Sequence, residues 1–114
     1  GSGKQNDKPT VRQIQTCKQH VMRMIELINP EVVIAAGKTA AMGLFSVTEK
    51  SSMKHVVHRF FEWTKSGVLH GKTCAIMYHP SYLLRLKNYD STAYKIIALE
   101  TYEFLKKLQK LTGE

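Results

Sequence analysis

The chain's 114 residues suffice for one modest core and a single domain, and a 43% hydrophobic content is ordinary for a globular protein. No apolar run reaches the roughly 20 residues of a membrane span. Nothing at the start reads as a secretory leader, and two cysteines, Cys17 and Cys74, are too few for a disulfide scaffold, so an intracellular, reducing compartment is expected. Seventeen Lys and Arg against nine Asp and Glu leave a net charge of +8. That favours anionic partners such as nucleic acid, although a solvated basic surface has the same composition.

Gly-Ser-Gly at 1–3 reads as a cloning scar, and no Met precedes Lys4, so an excised piece of a longer protein is expected. Residues 4–9, KQNDKP, are polar and aperiodic, a flexible lead-in. Thr10 can cap a helix, with Gln13 as its capping-box partner. Val11, Ile14, Cys17, Val21, Ile25 and Ile28 follow at spacings of three or four, a helical stripe that Asn29-Pro30 ends.

Val32, Val33 and Ile34 form a β-branched run of the kind found in buried strands. Gly37 breaks it, and Thr39 to Leu44 reads as a short helix. This strand–turn–helix unit is a building block of an open α/β sheet. Residues 46–72 are rich in Lys, His and Ser. They read as an irregular connection with some extended structure, in which VVHRFFEW is either strand or short helix, and HGK at 70–72 is a turn. Thr73 to Tyr78 is a second buried strand, and the stretch from His79 reads as a loop. Residues 91–111 make a long terminal helix with Ile97, Thr101, Phe104, Leu105, Leu108 and Leu111 along one face. The order predicts an α/β fold: three helix–sheet–helix layers around a small, mostly parallel sheet.

Several motifs invite chemistry. Gly37-Lys38-Thr39 after a strand suggests a P-loop, but that motif needs a glycine where Val32 stands, so no full triphosphate cradle forms. The turn can still hold one phosphate on free helix N–H groups beside Lys38, or be only a tight strand-to-helix turn. His55, His58 and His70 with Cys74 match no zinc spacing and read as surface or packing residues. Cys17, on the stripe, reads by itself as a buried small hydrophobe. Neither a Ser-His-Asp order nor a pair of carboxylates placed for acid–base work stands out. Phe60, Phe61 and Trp63 sit among Lys54, Arg59 and Lys65, a mixture that suits single-stranded or distorted nucleic acid. Core packing is the favoured reading for Phe60 or Phe61, and Trp63 is left open between the two.

NPEVVIAAGKTAAMGLF and the later MYHPSYLLR together resemble the C-terminal part of the uracil-DNA glycosylase superfamily, in its iron–sulfur, family 4-like branch. NDKPTVRQIQTC at 6–17 resembles the segment leading to that branch's last cluster cysteine. The resemblance implies that residues 10–114 are the C-terminal part of a larger glycosylase-like domain. It makes His79 the histidine that stabilises the departing base, in the manner of an oxyanion hole. Pro80 and Ser81 would shape the loop and contact backbone phosphate. Leu83, Leu84 or Arg85 would fill the gap left by a flipped nucleotide. Gly37, Lys38 and Thr39 would form a turn that approaches phosphate.

The family's water-handling loop, its uracil-reading asparagine and its base-stacking aromatic find no match among these residues. Cys17 matches the fourth ligand of a [4Fe–4S] cluster, but one thiolate cannot hold such a cluster. No cofactor is therefore expected in this chain, and a cluster only in a full-length parent. The expected partners are DNA, uracil-containing or as a single strand or distorted duplex, together with the other half of the domain or a replication or repair assembly, at the nucleoid or replication site. The expected role is support of uracil excision in the parent, with no turnover by the chain alone. The alternative is a non-catalytic DNA-binding or interaction module of a replication protein such as a phage DNA polymerase. A basic protein-interaction domain with no nucleic-acid role is a third reading.

Overall fold

A computed structural model describes the backbone of residues 11–113 and the side chains of residues 19–113. The expected scar at 1–3, the expected lead-in at 4–9, the expected Thr10 cap and the side chain of Cys17 lie outside the described residues. The elements run α1 (Val11–Ile28), β1 (Val32–Ala36), α2 (Lys38–Leu44), α3 (Met53–Val56), β2 (Phe61–Glu62), β3 (Thr73–Met77), α4 (Pro80–Tyr89) and α5 (Ser91–Thr112).

The sheet order is β1-β3-β2. β1 and β3 are parallel, in register from Val32↔Thr73 to Ala36↔Met77. β2 pairs antiparallel with β3 at Phe61↔Cys74 and Glu62↔Thr73. Side chains alternate between the two faces of such a sheet. Val33, Ala35, Cys74 and Ile76 therefore share one face, clustered with Ile25 of α1 and Ala41 and Phe45 at α2. On the other face Val32 and Ile34 approach Leu108 and Thr112 of α5. Helices thus cover both faces, which is the expected three-layer arrangement.

The ends of the strands are tied by one lysine. Lys72 Nζ donates to Asn29 Oδ1 and to the Pro30 carbonyl, both at 2.7 Å, and the Thr73 N–H donates to the Glu31 carbonyl at 3.0 Å. Asn29 takes a left-handed φ of 52°, which closes α1 and turns the chain into β1.

Two expectations need correction. The stretch after His79 is no loop but the ten-residue helix α4. Pro80 sits at its start, where a missing N–H costs nothing, and His79 caps it. The third strand, β2, falls within VVHRFFEW, where strand is one of the two readings. The helix stripes are also narrower than the spacing implied. On α1, Ile25 is buried, but Val21 and Ile28 are 38% and 68% exposed, as are Met24 and Leu27 on the same side of the sequence pattern. On α5, Thr101 and Phe104 are buried, whereas Leu105 and Leu111 are exposed. Ile96, Leu99 and Tyr102 are also largely exposed. Among the described side chains, each outer helix buries a thin strip and leaves several large apolar residues uncovered.

Candidate nucleic-acid interface

The site is built where two parallel strands end side by side. β1 ends at Ala36 and β3 at Met77, its register partner. The Gly37 N–H donates to the Met77 carbonyl at 2.8 Å, which carries the pairing one residue past the strand. Gly37 then takes φ 95° and ψ 164° as it opens α2. That backbone region is essentially restricted to glycine. A Cβ at this position would stand 3.2 Å from the His79 Cβ, tighter than ordinary contact. Glycine thus serves both the bend and the histidine packed against it.

His79 is exposed and has extended backbone, φ −67° and ψ 140°, as the cap of α4. Its Nδ1 accepts from the Ser81 N–H at 3.0 Å and lies 2.8 Å from the Ser81 hydroxyl. With Nδ1 accepting, the proton of the neutral ring belongs on Nε2. The ring is thereby oriented as a hydrogen-bond donor on its far side.

A cleft of about 380 Å³ opens beside this ring, lined by Gly37, Lys38, Ser52, Met53, Lys54, Tyr78, His79, Tyr82 and Arg85. The lining includes three cations and no carboxylate. Lys38 Nζ donates to the Glu49 carbonyl, which holds the α2–α3 connection against the cleft wall. Beneath runs a column of rings. Tyr82 stacks on Tyr78 with centroids 4.9 Å apart, and Tyr78 meets His58 edge-on at 5.8 Å. His58 in turn lies 5.1 Å from Phe104, which stacks on Phe60 at the same separation.

His58 is unusual in this column. Its side chain is only 8% exposed, neither ring nitrogen has a hydrogen-bond partner, and its backbone φ is 63°. Burial holds its pKa below the ordinary histidine value, while the Glu100 carboxylate, 3.9 Å away, acts against that. Burial also raises the Tyr78 hydroxyl, with smaller contributions from Tyr82 and Glu100.

The predicted residues fall into groups. Gly37, Lys38, His79 and Arg85 converge on the cleft. Ser81 reaches it through His79. Pro80 starts α4, exposed, and Thr39 is exposed on α2. Leu83 is half-buried and Leu84 is 67% exposed, both on α4 and outside the cleft lining. Tyr78, Tyr82, Met53 and Lys54 complete the cleft without having been singled out for it. The two tyrosines flank the His-Pro motif and could have been read with it. Met53 and Lys54 arrive on α3, a single turn placed only by tertiary folding. Phe61 packs edge-on against Phe45 at 5.3 Å on the core side, while Phe60 turns to Phe104. Both aromatics thus take the packing role allowed for one of them. His55, His58, His70 and Cys74 form no metal group, since among the described residues no three His, Cys, Asp or Glu side chains come together in one.

The profile of the uracil DNA glycosylase superfamily matches residues 3–103. The chain belongs to that superfamily. It is 34% identical over 108 residues to a type-4 uracil-DNA glycosylase of Thermotoga maritima, covering 95% of this chain and 52% of the relative. It is 30% identical over 115 residues to a type-4 uracil-DNA glycosylase of Archaeoglobus fulgidus, covering 96% of this chain and 51% of the relative. The chain therefore spans about half the length of the curated relatives it matches.

A [4Fe–4S] cluster needs several converging thiolates, and the described residues do not fit it. Cys74 is fully buried in the core, its Sγ turned to the Lys72 carbonyl at 3.7 Å. Burial pushes its thiol up, against a weaker opposing pull from Lys72. Cys17 lies outside the described side chains. Among the described residues no helix is long and apolar enough to cross a membrane.

Proposed function

We propose that this chain is the DNA-facing part of a uracil-DNA glycosylase-like domain. The observation that carries the reading is the close approach of the Gly37 bend to His79, with no room left for a side chain between them, inside a cleft whose lining holds Lys38, Lys54 and Arg85 and no carboxylate. One polyanion can meet all of these groups at once. Strand ends of an open α/β sheet are where such folds bind ligands.

The chemistry assigned to His79 follows from its tautomer. Water attacks the sugar carbon, the N-glycosidic bond breaks, and its electron pair stays on the departing uracil ring. A donor aimed at the ring oxygen stabilises that charge. Nε2–H is free for this because Ser81 occupies Nδ1. Arg85 and Lys54 hold backbone phosphate. Leu84, exposed on the next turn of α4, is the side chain best placed to enter the stack beside a flipped nucleotide.

The rest of the site, above all the group that activates water, belongs to the part of the relatives' length that this chain does not span. The uncovered apolar sides of α1 and α5 support a domain completed by another polypeptide segment. Alone, the chain binds DNA weakly and releases no uracil.

The test is an anisotropy titration with uracil-containing and plain duplexes at two salt concentrations, with uracil release followed in parallel. Binding that weakens steeply with salt, without release, is expected. Release by the chain alone would refute the division of the site. No binding at low salt would refute the DNA role altogether.

A further inference from the structure

We propose that the aromatic groove beyond α3 is a second DNA contact, one that takes an unpaired base a few nucleotides from the one presented to His79. The inference rests on the DNA reading above and extends it to a site that reading does not use.

The groove encloses about 560 Å³. Phe60, Phe61 and Trp63 form its apolar wall, and His55, Arg59 and Lys65 stand among its lining, with Glu62 as the lining carboxylate. Trp63 is half-buried: one part of its ring packs toward Phe45 of the core, centroids 5.7 Å apart, and the rest lines the groove. Lys65 Nζ lies over the Trp63 ring, 5.7 Å from its centroid, and donates to the Ser46 hydroxyl at 3.1 Å, which fixes a cation against the aromatic wall. Partly accessible aromatics flanked by cations are the elements of single-strand binding: bases stack, and the backbone phosphates find the charges. An apolar peptide would make no use of the cations.

Position argues for the same occupant. α3 separates the groove from the His79 cleft: its first residues, Met53 and Lys54, line the cleft, and the next two, His55 and Val56, line the groove. Four helical residues rise about 6 Å. Stacked nucleotides advance about 3.4 Å each along a strand. A strand leaving the cleft over α3 therefore reaches the groove within a few nucleotides.

Trp63 is the chain's single tryptophan, so its emission reports the groove directly. The full chain is titrated at low salt with a thymidylate octamer, an abasic octamer of the same length and charge, and an octaglutamate peptide. The thymidylate octamer is expected to quench Trp63 emission and to bind about tenfold tighter than the abasic one. Trp63→Leu is expected to erase that preference while leaving residual, salt-sensitive binding. Equal affinities for the two octamers, or unchanged emission at saturation, would overturn the inference. Octaglutamate binding as tightly as thymidylate would overturn it in favour of an acidic peptide.

Should Trp63→Leu fail to fold, the comparison of octamers on the unaltered chain decides alone, and Arg59→Ala, an exposed change, is expected to weaken thymidylate binding about threefold. Failure of this inference is distinguishable from failure of the DNA reading. Equal octamer affinities that still fall with Arg85→Ala sink only the groove. No binding of any DNA at low salt sinks both.

Discussion

The strand-end cleft and the outer faces of α1 and α5 differ in how completely the chain builds them. At the cleft the groups that set the backbone and the ring orientation are locally held. Gly37 pairs to Met77, His79 to Ser81 and Lys38 to the Glu49 carbonyl. On the outer faces, Leu27, Ile28, Ile96 and Leu99 are between 59% and 73% exposed. Large apolar side chains in that number are not an ordinary solvent face. The contrast teaches that the ligand-facing geometry here depends on the two parallel strands and their turns, and not on whatever covers the helices.

Substitutions can break or sharpen that contrast. The largest effect is expected at Gly37. Gly37→Ala puts a Cβ against His79 and forces a backbone region that only glycine adopts easily, at a cost of about 2–3 kcal/mol. Urea unfolding measures it, and a loss under about 0.5 kcal/mol would mean that the bend is not constrained.

His58→Phe comes next. It removes two buried nitrogens without hydrogen bonds, one of them 3.9 Å from the Glu100 carboxylate, while keeping the ring between Tyr78 and Phe104, and should stabilise the fold by about 1 kcal/mol at pH 6. The pH dependence has a definite sign. Native His58 has a lowered pKa, so below the ordinary value of 6.5 the unfolded chain takes up a proton that the native chain resists. Stability then falls as pH drops below about 6.5, until the native ring also protonates, and His58→Phe flattens that limb. Glu100 opposes the effect, so Glu100→Gln should steepen it. Unfolding curves between pH 5 and 8 check both signs.

A smaller change is expected for Lys54→Ala and Arg85→Ala, each lowering the salt slope of DNA binding by about 1 and leaving stability nearly unchanged. The smallest is expected on the outer faces. Leu27→Gln and Leu99→Gln should alter unfolding free energy by no more than about 0.5 kcal/mol, measured by urea unfolding. A loss of several kcal/mol would show that these faces are packed, and the contrast would collapse.

Much of this arrangement was legible in the residues. The two main strands announced themselves by β-branched runs, and Gly37 and His79 stood out because each follows a strand and breaks it. Their contact follows from parallel pairing, which brings strand ends together. What stayed hidden depends on longer range. α4 was disguised because His-Pro-Ser reads as a turn, and the capping role of an imidazole is not among the usual signals. β2 has two residues and therefore no period. The outer stripes of α1 and α5 read as core because sequence spacing says which side is apolar and cannot say whether a partner covers it. Whether His58 was a surface or a packing residue stayed open, since its aromatic neighbours, Tyr78 beyond β3 and Phe104 on α5, are distant in the chain.

The most direct test follows amide and imidazole resonances of the isotopically labelled chain during titration with a uracil-containing duplex at low salt. Gly37, Lys54, His79, Ser81 and Arg85 are expected to shift together, along one binding curve, and to return as salt is added. Shifts confined to α1 and α5, with Gly37 and His79 unmoved, would contradict the assignment of the strand-end cleft as the DNA-facing surface.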